Sequence, residues 1–256
     1  MSMSISNPDF SPLKKLDLTE PAMGVKFTYF RPEGIPMLDK DVNMSLCEIF
    51  RKSQRENTAF YFCRENNETC VGKKILGMEE FDGMAQSGQI GKPLGVFNDT
   101  RANAHFYQHT PRMDLGTTNY VSFAPVDKMN FNPDVLIISA RPAVAEIVMR
   151  AATYSTGMIY TSTCTPVMGC AWFLVEPFRS GKINFILPAF VHGPHGRKLY
   201  DDDATVLVCI PYHWIPTVLA SLDEMTIELE GHKSKEAYYA EFEGILADLA
   251  ERGKNP

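Results

Sequence analysis

Residues 134–142 read DVLIISARP, an apolar run that ends in a charged residue and a proline. Because no polar residues alternate within the run, it predicts a strand that is buried on both faces of a sheet. Pro142 is suited to the first turn of a helix, where a backbone nitrogen has no partner inside the helix. Residues 204–211, ATVLVCIP, repeat this order of buried strand and proline ahead of a predicted helix. The two stretches indicate either a weak internal repeat or two uses of a common strand–proline–helix unit.

The remaining segments extend this unit into a layered fold. Helical spacing predicts a helix over 41–54, with Asp41 or Asn43 as its N-cap. The mixture of strands and helices predicts one α/β (α+β) domain over residues 21–256, with a mixed sheet layered with helices, preceded by an N-terminal arm, 1–20. The other predicted strands are 22–30, 58–63, 119–124, 158–163 and 183–189, and the other predicted helices are 70–78, 100–109, 166–178 and 234–252.

Composition limits the kinds of function. The chain has 256 residues and a formal net charge of -6. A protein that grips a phosphate backbone is normally basic, so we expect no nucleic-acid partner. No apolar run reaches the roughly 18–20 residues that a membrane-spanning helix needs, so we expect no membrane partner. Asp9, Asp17 and Glu20 interrupt the start of the chain, which is unlike a signal peptide. We therefore expect a cytoplasmic protein with reduced thiols.

Three cysteine segments are the main chemical signal: LCE at 46–48, TCVG at 69–72 and TCTPVMGC at 163–170. Thiolates are nucleophiles and soft metal ligands, so a convergence of Cys47, Cys70 and Cys170 could hold a 4Fe–4S cluster or zinc, with Cys164 as a further candidate ligand. No C-x-x-C pair is present, which excludes the zinc-ribbon and ferredoxin spacings. Thiol chemistry without a metal, and cysteines that only pack in the core, are the alternatives.

Two further segments carry candidate catalytic residues. In residues 192–198, HGPHGRK, His192 or His195 could act as acid, base or ligand, and Arg197 offers a planar fork to a carboxylate or phosphate. The alternative is a solvated turn between two strands. Lys26 is the only charge in an apolar strand. It could pair with an anionic substrate or form a Schiff base, or it could simply point to solvent.

Several short motifs follow one another along the chain: Cys47, CVG at 70–72, LGM at 76–78, NPDVL at 132–136, MRAATY at 149–154, GC at 169–170, GR at 196–197 and CIP at 209–211. Their order resembles domain of unknown function family 169, an uncharacterised prokaryotic family common in archaea and anaerobic bacteria. The resemblance spans roughly residues 20–225. It implies that Cys47, Cys70 and Cys170 correspond to recurrent cysteines of the family. Members often carry another cysteine before the Gly-Arg pair, where this chain has LPAFVHG at 187–193.

Two hypotheses for function follow. In the first, the three cysteines bind an iron–sulfur cluster or metal in a redox or Lewis-acid enzyme of anaerobic metabolism, and His192, His195 and Arg197 orient a small anionic molecule. In the second, the protein is a non-catalytic module that binds a small ligand or cofactor, and its cysteines are structural. Aromatic residues in the predicted helix 234–252 indicate a homodimer, or else a helix that docks on its own domain.

Overall fold

The computed structural model describes residues 8–81, 83–89, 91, 93, 95–188 and 198–253, without the side chains of residues 84, 85 and 230. Six strands form one sheet, in the order β2-β3-β1-β4-β6-β5, and every strand pair is antiparallel. The predicted α/β class is confirmed. The strands are β1 (Met23–Thr28), β2 (Phe60–Cys63), β3 (Tyr120–Pro125), β4 (Val135–Ala140), β5 (Asn184–Ile186) and β6 (Val206–Pro211).

Helices cover both faces of this sheet. A π-helical segment, Ala171–Val175, runs directly into α6. A 3-10 helix over Ser11–Lys15 precedes the sheet, and Leu13 within it is buried beside α7. The α-helices are α1 (Leu46–Glu56), α2 (Gly72–Ile75), α3 (Gly83–Gln86), α4 (Thr100–His109), α5 (Pro142–Tyr154), α6 (Glu176–Ser180), α7 (Ile215–Glu224) and α8 (Lys235–Arg252).

Strand β4 is central to the core, because all six of its residues are buried. Ile137 points to the face that is covered by α1 and the π-helical segment, and Leu136 points to the face that is covered by α5 and α7. Successive side chains of a strand alternate between faces, so only a fully apolar strand can serve both layers. The run at 134–140 was correctly predicted as such a strand, and the two strand–proline–helix units lie side by side.

Aromatic rings join α1 to the sheet and to the π-helical segment. The Phe50 ring of α1 lies 6.0 Å from the Phe123 ring of β3 and 5.1 Å from the Phe173 ring, measured between centroids. All three side chains are fully buried. Aromatic pairs at these distances add to the stability that burial of their area provides. The contacts therefore fix α1 and the π-helical segment side by side on one face.

Three predicted elements differ from the structure. Helix α1 begins later than predicted, because Ser45 rather than Asp41 or Asn43 is its N-cap. No strand forms over 158–163, because the side chain of Asn184 binds the backbone of Thr163 and takes the place of a strand partner. The predicted helix over 166–178 lacks its first turn and is π-helical in its middle.

Helix α8 stands out because none of its residues is buried. Its most extensive contact is with the 3-10 turn Glu230–His232 that precedes it. Six large apolar side chains are 47% to 56% exposed: Tyr238, Tyr239, Phe242, Ile245, Leu246 and Leu249. The helix was correctly predicted from its pattern, and its apolar stripe is not covered by the rest of the described chain.

A buried polar network crosses the core between α1 and β4. Gln54 donates to Ser139 Oγ at 3.0 Å and accepts from the Tyr200 hydroxyl at 2.9 Å. The Ser139 and Tyr200 hydroxyls are also 2.8 Å apart, so the three side chains close a ring of hydrogen bonds. Burial raises the pKa of Tyr200, which keeps its hydroxyl protonated as a donor.

We expect Tyr200→Phe to lower the free energy of unfolding by about 1–3 kcal/mol, because the change removes two buried hydrogen bonds and leaves the Ser139 hydroxyl without its acceptor. The ring of Phe would retain the apolar packing of Tyr200. Urea denaturation measures the loss. Tyr154→Phe is the matched control, since Tyr154 is exposed, and equal stabilities of the two variants would contradict the role given to the network.

Candidate functional site

Cys47 lies in the first turn of α1, and a capping box fixes where that turn begins. The Ser45 Oγ accepts the backbone N–H of Glu48 at 3.3 Å, and the Glu48 carboxylate accepts the backbone N–H of Ser45 at 2.8 Å. This reciprocal pair satisfies two backbone donors that a helix start leaves free. Cys47 is consequently held in a defined orientation, buried next to the core.

Cys70 lies in a loop that packs against the start of α1. Thr69 donates its backbone N–H to the Met44 carbonyl at 3.2 Å, and the Glu68 carboxylate accepts the backbone N–H of Cys70 at 2.9 Å. A Cβ added to Gly72 would lie 2.5 Å from the Cβ of Leu46, closer than atoms can approach. The absence of a side chain at position 72 therefore allows the loop to approach α1 closely.

Cys170 immediately precedes the π-helical segment. Two residues earlier, Met168 has a φ of 55°, a left-handed conformation that is unfavourable for a residue with a long side chain. The indole N–H of Trp172 donates to the Val167 carbonyl at 2.9 Å and holds this loop in place. π-helical turns are rare, and they occur frequently at functional sites. Strained backbone close to a candidate ligand supports a functional reading of the segment.

The fold brings the thiols of Cys47, Cys70 and Cys170 together from three distant parts of the chain. The Cys47 side chain is the largest cause of the raised pKa of Cys170, ahead of desolvation. The charge of Cys170 in turn contributes to the raised pKa of Cys70. Cys47 and Cys170 are buried, whereas Cys70 is exposed as a residue. The cluster thus has two inner thiols and one at the surface, and we call these three residues the thiol cluster.

The surroundings of the thiol cluster disfavour negative charge. Desolvation is the largest cause that raises the pKa of Cys70 to about 12, even though the residue as a whole is exposed. Desolvation also raises the pKa of the nearby Glu68, despite the backbone N–H groups that its carboxylate accepts. The ionisable neighbours with the largest effects on Cys70 are acidic: Cys170, Glu68 and Glu48. A cation at this place would reverse the effect.

The side chains are not arranged as a coordination sphere. Within the part of the chain that the structure describes, no group of three or more His, Cys, Asp or Glu side chains is placed to hold a metal ion. The thiols are neighbours, but their sulfur atoms do not surround a common centre. The iron–sulfur cluster and the zinc site therefore remain predictions.

Cys164 and Lys26 have other surroundings than the thiol cluster. Cys164 is exposed, and its charge contributes, after desolvation, to the raised pKa of the buried Cys209 of β6. Lys26 donates to the Asn132 carbonyl at 2.9 Å and lies 3.7 Å from the Asp134 carboxylate, which ties β1 to the start of β4. This partly buried ion pair supports a structural role for Lys26. The predicted catalytic residues His192, His195 and Arg197 lie outside the described residues.

Sequence reasoning missed two carboxylates beside the thiols. The signal for Glu48 was present, because Ser45 and Glu48 have the S-x-x-E spacing of a capping box. The position of Glu68 follows from the path of its loop, which the backbone of Met44 and the start of α1 determine together. No local pattern in the sequence carries that information.

An antiparallel sheet between two helical layers, with a thiol cluster on one layer, defines a thiol-bearing α/β protein. The chain belongs to domain of unknown function family 169, described as uncharacterised ArCR, which it matches over residues 13–221. The predicted resemblance is thereby confirmed, and α8 lies beyond the matched residues. No curated protein matches the chain. No solved structure matches it either.

We expect the alkylation of Cys70 in the metal-free protein to be slow at neutral pH and to keep rising with pH well beyond 9, the usual pKa of a thiol. The reason is that only the thiolate reacts, and the raised pKa keeps Cys70 protonated until about pH 12. Mass spectrometry of the alkylated peptide measures the rate. An unfolded cysteine peptide is the control, and a Cys70 rate that levels off at the same pH as that peptide would contradict the prediction.

Proposed function

We propose that Cys47, Cys70 and Cys170 bind an iron–sulfur cluster or a metal ion, and that the loaded protein acts on a small anionic molecule as a redox or Lewis-acid enzyme of anaerobic metabolism. The proximity of the three thiols is the observation that carries this proposal. They come from α1, the loop before α2 and the start of the π-helical segment. Packing alone gives no reason for three thiols to meet at one place.

A metal accounts for the thiol cluster better than thiol nucleophilicity does. With a pKa of about 12, Cys70 would be a thiolate in about one molecule in 100,000 at pH 7. A metal ion or cluster releases the thiol protons on binding and supplies positive charge among acidic neighbours. The same raised pKa values would make metal binding strongly dependent on pH, with tighter binding as pH rises.

The number of thiols favours an open coordination position. Three thiolates on a four-iron cluster leave one iron free to bind a substrate as a Lewis acid. Three thiolates on zinc leave a fourth position for water or histidine. Cys70 is the exposed member of the cluster, so a small molecule would approach a bound metal from the side of Cys70.

The cellular setting of the proposal follows from the free thiols. All six cysteines are free, as expected in a reducing cytoplasm. No helix in the described ranges has both the length and the apolar composition to cross a membrane. The net charge of -6 makes nucleic acid a poor partner. We therefore place the protein in the cytoplasm and give it a small-molecule partner.

A second candidate function is a non-catalytic module that binds a small ligand or cofactor. The observation in its favour is that the pKa values of Cys70 and Cys170 are raised, by burial for Cys70 and by the Cys47 side chain and burial for Cys170, which suits thiols that only pack. In that case the cysteines would tolerate replacement by serine or alanine. Metal analysis separates the two candidates, because only the first requires a bound metal.

We expect the full chain, purified without oxygen and supplied with ferrous iron and sulfide or with zinc, to retain metal. A 4Fe–4S cluster would give about four iron atoms per chain and a visible charge-transfer band, whereas a zinc site would give about one zinc atom per chain and no colour. Replacement of Cys47, Cys70 or Cys170 by serine should lower the retained metal at least about tenfold, because each supplies one thiolate ligand.

Cys63→Ser is the control for this experiment, since Cys63 is buried on β2 beside Met37. Cys164→Ser tests whether the further candidate ligand contributes. A folded wild-type protein that retains neither iron nor zinc would eliminate the metal proposal and leave the binding module. Equal metal retention in Cys63→Ser and Cys70→Ser would likewise count against the thiol cluster as a metal site.

We further propose that α8 pairs with α8 of a second copy of the chain. Tyr238, Phe242, Ile245 and Leu249 follow the four- and three-residue spacing of a coiled-coil seam. Three aromatic and three aliphatic side chains, each about half exposed, offer two paired helices roughly 1,000 Å² to bury. That area is near the lower limit for a specific interface, so we expect a weak dimer.

Light scattering at increasing protein concentration should detect this dimer, and the double variant Phe242→Ser, Ile245→Ser should remain monomeric because it removes the centre of the stripe. Tyr154→Ser is the control, since Tyr154 is exposed elsewhere. A wild-type chain that stays monomeric at the highest concentration, or a dimer that survives the double change, would contradict the proposed pairing.

A further inference from the structure

We propose that a cleft along the outer side of α1 binds the carboxylate or phosphate group of a small molecule. The cleft has a volume of about 770 Å³, within the usual range for small-molecule sites. Basic side chains of α1 line it together with Lys198 from the start of the 198–201 segment. Three carboxylates line the cleft as well, those of Glu48, Glu56 and Asp201, so the basic side chains outnumber them by one. The basic residues are Arg51, Lys52, Arg55 and Lys198.

The buried side chain of Arg51 is the main evidence that the cleft binds a ligand. The residue is only 8% exposed, and its guanidinium donates to Gln54 Oε1 at 3.0 Å and to the Glu20 carboxylate. Its Nε–H is buried and has no hydrogen-bond partner among the described residues. Buried donors in folded proteins normally have an acceptor.

Arg51 also lies where two cavities meet. On its other side is a polar recess of about 150 Å³ at the end of β4, which it lines together with Arg141. The guanidinium is held in place by stacking over the Tyr200 ring, 4.6 Å from its centroid. An oxyanion beside Arg51 would therefore meet a donor whose position is already fixed, which reduces the entropy lost on binding.

The other charges of the cleft leave room for an anion on the α1 side. Lys52 pairs with Glu56, and Lys198 pairs with Asp203 at 2.6 Å. Arg55 has no ion pair within the described ranges and is exposed to the cleft. Asp201 also lines the cleft and would repel an anion next to it. The ligand group would accordingly lie between Arg51 and Arg55.

The cleft borders the thiol cluster at one end. Glu48 lines the cleft and also contributes to the raised pKa of Cys70, and Met44 lines the cleft while accepting the backbone N–H of Thr69. A molecule anchored by its anionic group at Arg51 and Arg55 would extend along α1 toward the exposed Cys70. The purpose of the anion site rests on the proposed function, since the cleft would present a substrate to the metal.

The test uses the full chain and two probes, inorganic phosphate and succinate, in calorimetric titrations at low ionic strength. We expect saturable binding of at least one probe, and its identity distinguishes a phosphate ligand from a carboxylate ligand. Arg55→Gln and Arg51→Lys should each weaken binding about tenfold or more, since a hydrogen bond to a charged group contributes about 1.5–3 kcal/mol. Glycerol, which has no charge, should not bind.

Lys182→Gln is the control, because Lys182 is exposed and lies outside the cleft. Thermal unfolding of each variant shows whether the fold is retained, and if Arg51→Lys unfolds, Arg55→Gln and Lys198→Gln decide the outcome. The absence of saturable binding by either probe would overturn the proposal. Binding that is equally strong in Arg55→Gln and Lys182→Gln would overturn it as well.

The same titration separates this inference from the metal proposal. We expect the triple variant with serine at positions 47, 70 and 170 to bind the probe as the wild type does, because the anion contacts come from α1. Anion binding without metal retention would reject the metal site and keep the cleft. Metal retention without anion binding would keep the thiol cluster and reject the cleft.

Discussion

The burial of β4 on both faces is the constraint from which the rest of the molecule follows. Its side chains contact two helical layers at once. Each helix of the core therefore packs its apolar side against one of the two faces of the sheet. Helix α1 and the π-helical segment fall on the same layer, and the Phe50–Phe173 contact holds them side by side. The meeting of Cys47 and Cys170 is therefore a consequence of how the sheet is covered, and no motif in the chain records it.

The surroundings of the thiol cluster keep its thiols neutral in the absence of a cation. Burial is the main cause for Cys70, whereas the neighbouring Cys47 side chain is the main cause for Cys170, followed by burial. A lysine or arginine beside the thiols would instead have stabilised a thiolate. The cluster is therefore poorly suited to act as a free nucleophile at neutral pH.

Most of the fold could be predicted, because it depends on patterns that are local in the chain. The apolar run of β4 and the apolar stripe of α8 each identify their element directly. The predicted strand over 158–163 failed because a single side chain, Asn184, binds that backbone from elsewhere in the sequence. The three cysteines were proposed as ligands from their residue type. The basic residues of the cleft on α1 have the spacing of any solvated helix face, so the cleft could be identified only from the structure.

The π-helical segment has a consequence for how this family can vary. One residue of an α-helix accounts for about 100° of rotation around its axis. Loss of a single residue from Ala171–Val175 would restore a regular helix and swing Cys170 to a different side, while α6 stayed anchored at the sheet. A one-residue deletion could thus disconnect the inner thiols in a relative without altering any cysteine, and alignments that count cysteines alone would overlook the change.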